Sequence, residues 1–426
     1  MRVIPRPLGW VGGIALALAV LLPLASVAWP SEQEKSHEVR TAALGLPTGP
    51  RADWQQWDSF LTNVVKKLGE EFRPDQREQL SEMFLDARYQ LVQALRSGAS
   101  DPVPQLFVDA WNRLEPILKQ AIPTASKQTA DQYTSFIRAM NATISFGGIG
   151  QRLGIFRITP DALRGAAKLL GAGGADPLAY LLDVDAGLRG LLGLAQALPA
   201  ARPSPLLEQG ALEQPRRRAA AKGAWLLPVA HAAEADFERL NEWLPETRDL
   251  SDYLLSVRHL LVETSERVLS KSTLAPAGRE LYRQIVLATA WQESCWRQFI
   301  KKGDKLAPLA SSTGDVGLMQ VNRTVWRSLY DIKGLNGDIG YNGYAGGEIL
   351  HYYLTRYAIR KNEDKQPGGH LARATYSAYN AGPGGLARYR GVRQNPSWKK
   401  VDDAFWAKFQ AVISGQELAV RSCYVS

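Results

Sequence analysis

From Trp54 onward the chain carries Trp54, Trp57, Phe60, Leu61, Val64, Val65 and Leu68 at the three- and four-residue intervals of a single helical face. A stripe this regular must be buried against other helices, which commits the region to helical packing. The pattern then recurs three times. After Pro74-Asp75, the residues Leu80, Met83, Phe84, Ala87, Leu91 and Leu95 define a second helix that stops at Gly98. Phe107, Trp111, Leu114 and Leu118 mark a third, and Tyr133, Phe136, Ile137, Met140 and Ile144 a fourth. Short connections between four such helices predict an antiparallel bundle over residues 50–146. Its aromatic stripes carry no chemistry of their own, so a structural role or the docking of an envelope protein partner is expected.

Beyond the bundle, residues 147–232 shift to Gly, Ala, Leu and Pro, with short helices expected after Thr159-Pro160 and Asp176-Pro177. The stretch Ala200 to Lys222, with Arg216-Arg217-Arg218, has no periodicity and reads as linker. Arg216 to Glu234 mimics a short secretory signal, but Lys222 interrupts its apolar run. Helical patterning resumes near Ala235, so residues 233–274 read as connecting helices, the last running from Leu250 to about Lys271.

The N-terminus has the layout of an export signal over residues 1–28: Arg2 and Arg6, an apolar run from Val11 to Ala28, and small residues Ser26 and Ala28 at the −3 and −1 cleavage positions. At 18 residues the run 11–28 is also near the lower limit for a membrane anchor. Either outcome places the rest of the chain outside the cytoplasm. No cysteine follows the run, so no lipid attachment site is expected.

Charge is unevenly distributed. Residues 276–426 hold 21 basic and 12 acidic side chains, whereas residues 1–275 hold 30 of each, so the whole excess of +9 sits in the last third. A basic domain of this kind concentrates polyanions such as nucleic acid, anionic membrane or a carboxylate-rich cell wall. The export signal and the lack of a base-reading motif argue against nucleic acid. The two cysteines, Cys295 and Cys423, both lie in this basic third and form a candidate disulfide in an oxidising compartment. No His/Cys cluster has metal-ligand spacing, and no metal or cofactor is expected.

Arg279 to Ser294 reads as one mostly buried helix whose face through Val286, Thr289 and Ala290 ends in Glu293. Desolvation there favours the neutral acid and raises its pKa, the condition a general acid must satisfy near neutral pH. Alone, an acid at a helix end is usually structural. Glu293-Ser294 is followed, however, by Ser311-Ser312-Thr313-Gly314-Asp315-Val316-Gly317-Leu318-Met319-Gln320, by Asn342, Gly346 and Leu350 at spacings of four, and by Ala378-Tyr379-Asn380-Ala381-Gly382-Pro383-Gly384.

These four blocks, in this order, resemble the soluble lytic transglycosylase family of the lysozyme-like superfamily. The resemblance covers about Ala275 to Arg393, says nothing of the first 230 residues, and implies a lysozyme-like α-helical domain over 275–426; with the N-terminal bundle read from periodicity, the chain is expected to be mainly α. The resemblance makes Glu293 the sole catalytic acid/base, and Ser311, Met319, Gln320, Tyr379 and Asn380 substrate-binding. Met319 and Gln320 would face the cleft, and the Tyr379 phenol would hydrogen-bond near Glu293 or the substrate N-acetyl group. The substrate implied is the glycan strand of peptidoglycan, cut between N-acetylmuramic acid and N-acetylglucosamine without water to leave a 1,6-anhydro end, in the service of cell-wall remodelling.

Three features depart from the family pattern. Asp315 stands where a small residue is common; facing the sugar opposite Glu293 it would make a hydrolytic lysozyme, and capping a turn it would be structural. Asn322 replaces a continuation toward proline. The insertion Lys301 to Leu309 lengthens a loop and is expected to cover one end of the cleft. A non-catalytic wall-binding scaffold on the same fold is the competing reading of another class.

Overall fold

The computed structural model describes residues 53–98, 102–152, 159–171, 176–196, 237–366, 368–391 and 395–424. The export segment 1–28, the linker 200–222 and the signal-like stretch Arg216 to Glu234 lie outside the described residues. All described elements belong to one unit, Thr41–Ser426. The fold is mainly α, with two short β-ribbons.

Four long helices open the fold: α1 (Asp53–Glu71), α2 (Pro74–Arg96), α3 (Val103–Ala121) and α4 (Lys127–Arg152). Each packs on the next, because the predicted stripes face inward. Every apolar residue of the α1 stripe is at most 4% exposed. Pro74 at the first position of α2 loses no helical hydrogen bond, and Gln76 reaches back to the Arg73 amide at 3.1 Å. The helix α4 runs past the Gly147-Gly148 pair where the sequence suggested a stop; each glycine costs a helix only about 1 kcal/mol relative to alanine.

The next two helices are more than linker. Thr159 caps α5 (Pro160–Leu169), which packs on α1 and α4, and Asp185 caps α6 (Ala186–Leu192), which packs on α1 and α2. Leu163, Ala167, Leu170, Leu188 and Leu192 are buried there. Apolar residues spaced over single helical turns, too few for a long periodic signature, still close the open face of the preceding helices.

The helix α7 (Leu250–Leu269) is similarly more than a connection. It packs on α8 (Pro276–Ser294) and on α10 (Ile339–Tyr353), which follows the short α9 (Ile332–Gly337). Tyr253 of α7 donates to the Trp296 carbonyl at 2.9 Å, so the C-terminal core begins before residue 275. The core is completed by α11 (His370–Ala381) and α12 (Pro396–Ile413), with α8 in contact with α7, α10, α11 and α12. A disulfide joins Cys295, at the end of α8, to Cys423.

The insertion Lys301 to Leu309 lies in an antiparallel ribbon of β1 (Phe299–Lys302) and β2 (Lys305–Pro308), with Phe299 opposite Pro308. A second ribbon, β3 (Asp315–Val316) and β4 (Val321–Asn322), pairs Asp315 with Asn322 and folds the Gly-Leu-Met-Gln block into a tight loop. Among the described residues no helix is long and apolar enough to cross a membrane.

The N-terminal helices and the C-terminal core meet around a buried ionic cluster. Asp58 of α1 accepts from Arg88 of α2 and from Arg327, each Nε at 2.8 Å. Arg88 Nη1 also donates to the carbonyls of Val325 and Arg327 at 2.9 and 2.8 Å. Burial alone would push the Asp58 carboxyl up, but Arg327 and Arg88 outweigh it and hold it below the usual aspartate range.

Candidate active site

The helix α8 ends abruptly after Glu293-Ser294 because Cys295 and Trp296 both adopt left-handed backbone, with φ of 53° and 61°. Such conformations are costly for non-glycine residues and persist where their surroundings over-determine them. Here the disulfide fixes Cys295, and the fully buried Trp296 donates its indole N–H to the Leu287 carbonyl at 3.2 Å. Ser294 ties the same end to the next block, donating to the Leu318 carbonyl at 2.6 Å.

Glu293 is half-buried at this helix end. Desolvation of its carboxyl group, reinforced by the nearby negative charge of Asp315, pushes its pKa up to about 7. A position at the negative end of the α8 dipole works in the same direction. Opposing this, Tyr376 donates its phenol to Glu293 Oε1 at 2.8 Å, and the Asn380 amide and Arg388 also favour the charged form. The Tyr376 phenol stays a donor, since burial and then the Glu293 charge push its own pKa well above the usual tyrosine value. Its ring stacks on Phe405 of α12 with centroids 4.1 Å apart and planes within 2°. Lys408 of α12 donates to Gln292 Oε1 at 2.5 Å; burial lowers its pKa while the Glu293 charge opposes that shift.

The Gly-Leu-Met-Gln loop is set by two buried amides. Gln298 accepts from the Leu318 amide, and Asn342 accepts from the Met319 amide, both at 2.8 Å. The Asn342 Nδ2 donates to the carbonyls of Val316 and Leu335. Gly317 lies between these side chains with φ 76°, and a Cβ there would meet Gln298 Oε1 at 2.3 Å and Asn342 Nδ2 at 2.4 Å. The Asn342, Gly346, Leu350 spacing is thereby explained: Asn342 clamps the loop, Gly346 leaves room for Met319, and Leu350 is wholly buried.

Several predicted site residues occupy other positions than expected. Met319 does not offer a sugar-facing surface; it is 0% exposed, its side chain pressed on Gly346. The Tyr379 phenol donates to the Met319 carbonyl at 2.6 Å instead of toward Glu293, leaving that bond to Tyr376 one helical turn earlier on α11. Tyr376 belongs to no quoted block; its only signal was its place three residues before Tyr379 on the same helix.

Gln320, partly exposed and with φ 49°, donates its amide to the carbonyls of Gly317 and Leu309 at 2.8 and 3.2 Å. Asn380 is exposed at the end of α11, with its side chain hydrogen-bonded to Glu293. Ser311 lies in a turn centred on Asp315, whose Oδ2 accepts from Ser311 at 2.5 Å and Thr313 at 2.7 Å while Oδ1 accepts from Asn322 at 2.8 Å. Asn322 is thus part of the loop's internal bracing, its own Oδ1 accepting the amides of Thr324 and Val325. Among the described residues no group of three or more His, Cys, Asp or Glu side chains is placed to hold a metal ion.

Residues 275–401 match the family model of the transglycosylase SLT domain, which suggests lytic transglycosylase activity on peptidoglycan. No curated protein and no solved structure matches the chain. The match starts one residue before α8 and ends within α12, so it encloses Glu293, the clamped loop and the helix that brings Tyr376 and Asn380 to Glu293. The C-terminal part of this chain therefore carries a transglycosylase SLT domain of the lysozyme-like superfamily.

Proposed function

We propose that the protein is a lytic transglycosylase that cuts peptidoglycan glycan strands between N-acetylmuramic acid and N-acetylglucosamine, with Glu293 as acid and then base. The observation that carries this reading is a carboxyl group poised near pH 7 by burial, with a tyrosine donor on Oε1. At that poise the acid is substantially protonated at neutral pH and its conjugate base still accepts a proton. Protonated Glu293 gives its proton to the bridging oxygen as the C1–O4 bond breaks, and the substrate acetamide stabilises the positive charge at C1. The carboxylate, held by Tyr376, then takes the proton from the muramic C6 hydroxyl, and that oxygen bonds to C1 to close the 1,6-anhydro ring.

A hydrolytic lysozyme would need a second carboxylate to activate water or attack C1. Asp315 is near enough for its charge to raise the Glu293 pKa. The three hydrogen bonds it accepts from Ser311, Thr313 and Asn322 favour a bracing role instead. We assign the exposed Asn380 and the partly exposed Gln320 and Ser311 to substrate contact, and Met319 and Tyr379 to shaping the loop that presents Gln320. The export-signal layout read in residues 1–28 and the proposed wall substrate together support action in the periplasm, in remodelling of the wall.

The deciding experiment is mass spectrometry of fragments released from purified sacculi. Anhydromuramic ends are expected; reducing muramic ends would transfer the assignment to a lysozyme. No release from the wild type, combined with sedimentation of the protein on sacculi, would make it a scaffold.

A further inference from the structure

The helix α2 reaches the Glu293 site from behind. Tyr89 donates its phenol at 2.9 Å to the carbonyl of Tyr379, in the last turn of α11, where helix carbonyls lack a partner of their own. Gly382, with φ 84°, follows that turn and lies so close to the Tyr89 ring that a Cβ would stand 2.7 Å from it. One turn earlier on α2, Asp86 accepts from the Gly384 amide at 3.0 Å and is itself held by Arg113 of α3 at 2.7 Å. Between them, Arg88 anchors α2 to the backbone at Val325 and Arg327. Two side chains of one N-terminal helix thus hold the end of the helix that carries Tyr376 and Asn380.

We propose that α2 is a positioning element of the active site, in which Tyr89 and Asp86 set the last turn of α11 so that Tyr376 and Asn380 meet Glu293. The inference rests on Glu293 being the acid, and it replaces partner docking with an internal duty for the N-terminal helices. Among the described residues, the groups that bear on Glu293 are Tyr376, Tyr379 and Asn380 from α11, Asp315 from β3, Arg388 from the segment after α11, and Lys408 from α12. Neither Tyr89 nor Asp86 is among them, so any influence they have on Glu293 passes through the backbone they hold.

Tyr89→Phe removes one oxygen and leaves the packing against Gly382 in place. In the full chain it is expected to lower kcat on purified glycan strands about two- to tenfold, the worth of one neutral hydrogen bond, with KM little changed. The Glu293 midpoint, followed through its 13C-labelled carboxyl resonance, should move to higher pH together with the alkaline limb of the rate profile, since a slackened Tyr376 bond stabilises the carboxylate less. Asp86→Asn, which keeps an oxygen for the Gly384 amide, should lose less than Asp86→Leu. A folded Tyr89→Phe protein with an unmoved midpoint and unmoved limb overturns the proposal, even if its melting temperature drops. If the midpoint moves in a protein whose wild type releases no glycan fragments, positioning stands and the activity reading fails.

Discussion

Asp58 and Glu293 are both carboxyl groups set into apolar helices, one in the N-terminal bundle and one in the C-terminal core, and they are driven in opposite directions. Asp58 has two guanidinium groups directly on its oxygens, so its charge is matched and its pKa falls. Glu293 has a neutral phenol on Oε1 and the like charge of Asp315 nearby, so desolvation prevails and its pKa rises to about 7. Burial pushes both carboxyls upward; the partners decide whether the result is a structural ion cluster or an acid able to exchange its proton. The first arrangement joins two parts of the fold, and the second leaves a group whose charge is free to change.

The largest way to break this contrast is Glu293→Gln, which keeps shape and removes the proton. Fragment release from sacculi should drop at least about a hundredfold, the usual contribution of a positioned general acid, while a scaffold would keep binding sacculi unchanged. Asp58→Ala should do the reverse. Leaving Arg88 and Arg327 buried without their counter-charge should cost about 3–5 kcal/mol in denaturant unfolding. A cost below about 1 kcal/mol would mean the cluster is not holding the two parts together.

The pH dependence of stability sharpens the same comparison. Asp58, with its folded pKa lowered, contributes stability that is present above its unfolded value of 3.8 and is lost as pH falls through the folded value. Glu293, with its folded pKa raised, is neutral in both states at low pH and costs stability as pH rises from 4.5 to about 7. The Glu293→Gln protein should therefore lose less stability than the wild type across that interval, measured as denaturation midpoints at pH 4 and pH 8. Smallest of all is Asp315→Asn: a lytic transglycosylase should retain most of its turnover, with the Glu293 midpoint slightly lowered, whereas a lysozyme should be nearly inactive.

What could be read from the chain follows from how local each constraint is. The α1 stripe and the α8 helix were legible because apolar period alone fixes which side is buried. Glu293 is singled out only through the resemblance that four ordered blocks carry, and the structure gives their glycines a physical reason: Gly317 adopts positive φ between two amides, Gly346 makes room for Met319, and Gly382 meets Tyr89. The orientations of Met319 and Tyr379 were not legible. Within a loop whose left-handed residues include Gly317 and Gln320, side-chain direction is set by tertiary hydrogen bonds, not by alternation. The Asp58, Arg88 and Arg327 cluster was equally hidden, because Asp58 and Arg327 lie 269 residues apart. No spacing rule connects such positions, and a buried charge on an amphipathic helix looks like a surface one until the fold brings its partners.

The state of Glu293 itself is the most direct point of attack. Titration of its carboxyl resonance in the wild-type protein, assigned by its disappearance in Glu293→Gln, should show a midpoint close to pH 7. A midpoint near the ordinary glutamate value of 4.5 would mean the group is an anion under working conditions, with no proton to give the glycosidic oxygen.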